Sequence, residues 1–250
     1  MPHGNHGPGL RRTGSMIYRV LLPFLLALFS LSCSSDGSAA RTSEPAALPP
    51  PVMRNIVFFG NSLTAGYGLP PQQSFPSLIQ QKIDSAGLSW QCINAGVSGE
   101  TTAGGLQRLP TVLAKRRPDV FVLELGANDG LRGIPVRETT QNLQRIMDGV
   151  HKQYPQAEIV LVGMEFPFDL SAFGEHRYAR YADEFKAQFR PLAEKNRAAF
   201  VPFLLQGVLG RPELNLPDRA HPNAAGYRIV ADNVWQVLEP VLRNYNVAGN

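Results

Sequence analysis

Ser62, His221 and Asp218 are the residues of this 250-residue chain whose types and spacing fit nucleophilic chemistry. A serine hydroxyl attacks a carbonyl carbon only when a base removes its proton. His221 is the candidate base, and Asp218 lies three residues before it, a spacing that lets one turn carry both the imidazole and the carboxylate that orients it. Negative charge then develops on the former carbonyl oxygen, and donors already aimed at that position supply much of the rate. Gly96 offers a backbone N–H with no side chain beside it, Asn128 a side-chain amide, and Ser62 its own N–H. Together these groups describe acyl transfer through a covalent intermediate. Each also has a plainer reading: Ser62 as a cap, Gly96 as a turn glycine, Asn128 as a loop residue bonded to its own backbone, Asp218 as a helix cap. The plain readings are compatible with the chemical ones.

Such groups need a scaffold. Residues 56–59 are an apolar run ending in Gly60, which predicts a buried strand with Ser62 just past its carboxyl end, the edge where open α/β sheets bind ligands. Residues 120–125 predict another, with Asn128 beyond it. Pro222 favours a first helical position, so His221 is expected at a helix entrance. Further strands are predicted at 90–94, 158–163 and 199–202, and helices at 74–86, 102–115, 136–151, 178–196 and 222–241. This βα alternation predicts an α/β fold with a parallel sheet and helices on both faces. From about residue 54 to 245, roughly two hundred residues suffice for one core and one domain.

The local sequences are more specific than the residue types. Gly60-Asn61-Ser62-Leu63-Thr64, Asn94-Ala95-Gly96-Val97-Ser98-Gly99-Glu100-Thr101, Gly126-Ala127-Asn128-Asp129-Gly130-Leu131-Arg132-Gly133 and Asp218-Arg219-Ala220-His221-Pro222 occur in that order. They resemble the blocks of the SGNH, or GDSL-type, hydrolase superfamily, and more narrowly its bacterial thioesterase I, lysophospholipase and arylesterase branch. The resemblance runs from about residue 55 to 242. It implies a three-layer α/β/α sandwich on a mostly parallel, flavodoxin-like sheet of five strands. It also implies serine esterase activity without a cofactor, with Ser62, Asp218 and His221 catalytic and Ser62, Gly96 and Asn128 holding the oxyanion. Asn61 departs from the pattern, since the family has aspartate there. An amide still makes local hydrogen bonds but carries no charge, which bears on turn geometry and pH behaviour and leaves a weakened enzyme as an alternative. Gly-x-Ser-x-Gly is missing, which argues against the α/β-hydrolase nucleophile elbow.

Residues 164–174 are apolar yet rich in turn formers, and follow a predicted strand. They either line an acyl pocket, with Phe166, Phe168 and Leu131 as candidate lining, or form an ordinary buried loop.

The amino terminus addresses location. Arg11, Arg12 and Arg19 precede an apolar run over 20–31, too short for an ordinary membrane span, which reads as a secretory signal over 1–32. Cys33 follows a small residue and precedes a Ser/Ala/Pro-rich stretch, resembling a bacterial lipoprotein processing site, so 33–53 is expected to be a flexible tether. The expected location is the bacterial envelope, lipid-anchored and exported. Net charge is +4, and from Cys33 onward 21 basic residues face 20 acidic ones, so the basic character is largely a targeting feature. No basic stripe interleaved with aromatics suggests nucleic acid. Cys33 and Cys92 are the only cysteines, which excludes a disulfide framework. His3, His6, His151 and His176 have no carboxylate or cysteine company at metal-ligand spacing, and no metal is expected. The expected partner is a small acyl ester or lysophospholipid, and the expected enzyme a monomer. Carbohydrate O-deacetylation and a non-catalytic envelope-binding lipoprotein are the alternatives.

Overall fold

The computed structural model describes residues 53–165 and 176–247. The expected signal, the tether with Cys33, and Phe166 and Phe168 lie outside them. The five strands are β1 (Arg54–Gly60), β2 (Trp90–Gly96), β3 (Val120–Glu124), β4 (Glu158–Val162) and β5 (Ala199–Val201). The α-helices among the described residues are α1 (Ser62–Ala65), α2 (Phe75–Ser85), α3 (Thr102–Lys115), α4 (Ala127–Leu131), α5 (Val136–Gln153), α6 (His176–Ala187), α7 (Phe189–Lys195) and α8 (Ala224–Val247).

The sheet runs β2-β1-β3-β4-β5 with every neighbouring pair parallel. Continuous apolar runs suit strands buried on both faces. Ile56 to Phe59 and Val120 to Leu123 are fully buried accordingly. Successive side chains point to opposite layers. Phe58 meets Phe75 of α2 edge-on, with centroids 5.5 Å apart, while the Arg108 guanidinium of α3 lies 3.8 Å from the Phe59 ring centre. Helix α2 packs beside α8 and α3 beside α5, which gives the two outer layers.

The chain leaves β1 for β2 on one side and later enters β3 on the other, so the carboxyl ends of β1 and β3 flank the topological switch point. Register aligns Gly60 with both Gly96 and Glu124, setting three strand ends level. The residues of the candidate site gather at that edge.

Two of the departures from the sequence reading involve proline. The helix expected over 178–196 divides into α6 and α7, because Pro191 has no N–H for the carbonyl of Ala187 and its ring would collide with it. Gln188 fills the break by donating its side-chain amide to Phe185 O at 2.8 Å. Pro222 is not the first residue of α8. It bridges to Asn215, and Asn223 caps the helix by accepting from the N–H groups of Ala225 and Gly226 at 3.0 Å each.

Candidate active site

Ser62 is displayed by a turn that is bonded from several sides. A Cβ on Gly60 would lie 2.1 Å from Thr64 Oγ1 and 2.5 Å from Glu124 Oε2, so only glycine fits where β1 ends. Asn61 caps α1, its Oδ1 accepting from Leu63 N at 2.9 Å. Gly66 ends the helix at φ +81°, a left-handed conformation that favours glycine. Two carbonyls of this single turn are taken by distant groups: Tyr227 donates its hydroxyl to Leu63 O at 2.9 Å, and Asn94 its amide to Thr64 O at 2.9 Å. Ser62 itself is 8 % exposed.

His221 stands on a loop closed by Leu216 N donating to His221 O at 2.7 Å. Asp218 Oδ1 accepts from the N–H groups of Ala220 and His221, both at 3.0 Å, and Asp218 Oδ2 lies 2.7 Å from His221 Nδ1. Asp218 therefore caps the turn before His221 rather than helix α8. The other ring nitrogen, Nε2, lies 2.8 Å from Ser62 Oγ. With Nδ1 donating to the carboxylate, Nε2 is left to accept the serine proton. Burial pushes the Asp218 carboxyl up, but its two backbone donors and the imidazole outweigh this and hold it below its ordinary value. The Tyr67 ring covers the imidazole, with centroids 4.6 Å apart.

Asn128 sits in α4 and donates one amide hydrogen to Glu100 O at 3.0 Å, which fixes the side chain; the second hydrogen meets no acceptor among the described residues. Arg108 grips the Glu100 carboxylate and so braces that loop. Gly96 is placed differently from the expectation. Strand β2 extends to it, its N–H donates to Asn94 Oδ1 at 2.9 Å, and a Cβ there would lie 2.3 Å from Ala65 N. It is a close-packing glycine with its donor already used. The glycine that lines the same cavity as Ser62 is Gly99, at φ +79°. Among the described residues, the N–H groups of Gly99 and Ser62 meet no acceptor.

These groups open onto a cavity of about 250 Å³ whose apolar wall includes Leu63, Tyr67, Leu131, Met164, Leu205 and Leu209. Leu131, a candidate from the sequence, lines this cavity and is 64 % exposed. Met164 lines the cavity from the start of the expected pocket loop, whose Phe166 and Phe168 lie outside the described residues. Cys92 contributes no second nucleophile, since burial, with the charge of Asp84, pushes its thiol well up. Among the described residues, no three His, Cys, Asp or Glu side chains are grouped to hold a metal ion.

A model of the GDSL-like lipase/acylhydrolase family matches residues 58–229. The chain belongs to that family. It is 33 % identical over 189 residues to Esterase TesA of Pseudomonas aeruginosa, covering 76 % of this chain and 90 % of that one. It is 34 % identical to an arylesterase of Vibrio mimicus over 214 residues, 86 % of this chain and 96 % of the other. Among solved structures, the psychrotrophic esterase EstA from Pseudoalteromonas sp., inhibited by monoethylphosphonate, superposes with a TM-score of 0.68 at 29 % identity, over 76 % of this chain and 99 % of that one.

The resemblance read from the sequence thus holds, as does the three-layer fold of an SGNH hydrolase. Of the expected site residues, the structure gathers Ser62, Asn128, Asp218, His221 and Leu131 and sets Gly96 aside. Sequence reasoning passed over Gly99, Tyr67 and Glu124. The first two stand inside or beside segments quoted for the resemblance. Glu124 announced itself as the lone charge in the apolar run 120–125.

Proposed function

We propose that this family member, a hydrolase acting on esters, works through an acyl-enzyme on Ser62. The observation that carries the reading is the relay of contacts from Asp218 Oδ2 to His221 Nδ1 at 2.7 Å and from His221 Nε2 to Ser62 Oγ at 2.8 Å. His221 takes the serine proton as Oγ attacks the ester carbonyl, then returns it to the departing alkoxide. Asp218 keeps the imidazole in the required tautomer and stabilises its charged form. The oxyanion rests among Ser62 N–H, Gly99 N–H and the free amide hydrogen of Asn128. Water, activated by the same histidine, then cleaves the acyl-enzyme.

The mainly apolar cavity favours the acyl chain of a carboxylic ester, with aryl esters as the substrate class that one relative's name suggests and lysophospholipids and thioesters as those of the branch the sequence resembles. A sugar acetate would leave that apolar wall unused, so we place O-deacetylation second. The segment from Arg11 to Cys33 supports a lipid-anchored enzyme exported to the cell envelope, beside such substrates. Hydrolysis of a p-nitrophenyl ester series from acetate to palmitate, with Ser62→Ala as control, tests the reading. The expected result is an optimum at short to medium acyl chains, abolished in the control. Equal rates with Ser62→Ala would overturn it.

A further inference from the structure

The site carries a cation that the proposed reaction does not use. Arg219 lines the same cavity as Ser62 and His221, two residues before the histidine, and is exposed. It takes φ +58°, a left-handed conformation that glycine adopts easily and a residue with a Cβ does not. The loop enforces it: Arg219 N donates to Leu216 O at 2.8 Å, and Asp218 Oδ1 takes the N–H groups of the next two residues at 3.0 Å each. Backbone strain of this kind concentrates at active sites and ligand clamps.

Among the described residues, the Arg219 guanidinium meets no carboxylate and no other acceptor. The other charges around the cavity are committed. Lys186 pairs with Glu165 at 2.9 Å, Arg132 donates to Gly99 O at 3.0 Å, Arg108 grips Glu100, and Asp218 is taken up by His221 and its own backbone. Arginine stays charged at every working pH and presents a planar fork of donors that fits a phosphate. The direction of the reaction says which part of the substrate Arg219 meets. His221 Nε2, 2.8 Å from Ser62 Oγ, must protonate the leaving oxygen, so the alcohol part of the ester lies on the histidine side while the acyl chain has the apolar wall.

We infer that Arg219 is a specificity-determining residue that selects esters of a phosphorylated alcohol, taking on its guanidinium a phosphate a few bonds beyond the ester oxygen. The inference deepens the proposed function and rests on Ser62 and His221 acting as described there. The contact is present before and during attack alike, so it tightens binding of the whole substrate and is read mainly in KM. A membrane lysophospholipid and a soluble acylated phosphate share this chemistry.

The test measures kcat/KM of the full-length protein on hexanoyl glycerol phosphate, on uncharged hexanoyl glycerol, and on the glycerol monoester of adipic acid, whose charge lies on the acyl side. Rates are expressed per serine titrated with a fluorophosphonate, so that unfolded molecules are not counted. Wild type is expected to prefer the phosphate ester to the uncharged one by about 10- to 100-fold, the usual worth of a hydrogen bond to a charged group. Arg219→Gly, which suits the left-handed turn, and Arg219→Gln are expected to lose that preference through a rise in KM, and Arg219→Lys to keep part of it. Lauroyl glycerol phosphate then assigns the source, since a gain over hexanoyl that still depends on Arg219 supports a membrane lipid and a loss that still depends on it supports a soluble ester. Equal wild-type values on the phosphate and uncharged esters, a preference that survives Arg219→Gly, or a loss that falls equally on both esters or only on the adipate ester would each overturn the inference. No hydrolysis by wild type, or unchanged rates in Ser62→Ala, would overturn the reading of Ser62 on which it rests.

Discussion

The serine turn and the histidine loop meet across 2.8 Å, yet they are built in opposite ways. The turn over 60–66 is buried and held by groups far away in sequence: Glu124 from β3, Asn94 from β2 and Tyr227 from α8. The histidine loop is held mostly by itself, through Asp218 to its own backbone and Leu216 to His221, with Asp218 and Arg219 at the surface. Arg219 adopts φ +58° there, a conformation that costs a non-glycine residue about 1 kcal/mol or more. The difference assigns distinct consequences to damage. Perturbing the contacts that hold the turn should cost the fold as well as the chemistry, whereas perturbing the loop, or the Ser62 hydroxyl that meets His221, should cost chemistry alone.

The largest expected effect is that of Ser62→Ala, a loss in kcat on the order of 10⁴ or more with the melting temperature nearly unchanged. Asp218→Ala should lower kcat by about 10³ to 10⁴. Because Asp218 bonds only within its own loop, denaturant titration should find its stability within about 1 kcal/mol of wild type, the typical cost of a lost cap. A stability loss as great as that of a core substitution would break the contrast. Asn128→Ala removes one donor and should lower kcat by about 10² to 10³ while KM moves little.

Smaller effects test the turn. Glu124 has its native carboxyl raised from 4.5 to about 7 by burial, so between those values the folded protein binds more protons than the unfolded chain. Its contribution is therefore fully present below about pH 4.5 and is lost as pH rises to about 7, a decline of up to about 3 kcal/mol that Glu124→Gln should flatten. Equilibrium unfolding at a series of pH values reads it directly. Gly60→Ala, whose Cβ would press on Thr64 and Glu124, should cost about 1 to 3 kcal/mol, more than Asp218→Ala.

Much of this was legible in the chain because local signals and tertiary demands coincide. The buried strands announce themselves as the apolar runs at 56–59 and 120–125, and Ser62, Asn128 and the pair Asp218 and His221 lie beside elements that the pattern identifies. What escaped depended on how far an element runs. Gly96 and Gly99 are equally plausible turn glycines in sequence, and only the extension of β2 to Gly96, with Asn94 taking its N–H, turns one into packing and leaves the other at the cavity. The helix break at Gln188 was signalled by Pro191 but hidden within an otherwise helical pattern. The partnership of Asn61 with Glu124 spans 63 residues, and no local pattern encodes it.

The most direct measurement of the central claim is covalent labelling of the full-length protein with a fluorophosphonate, followed by mass mapping of the modified peptide. The account predicts one label, on Ser62, that His221→Ala slows by orders of magnitude. No label, or a label on another residue that is indifferent to His221, would contradict it.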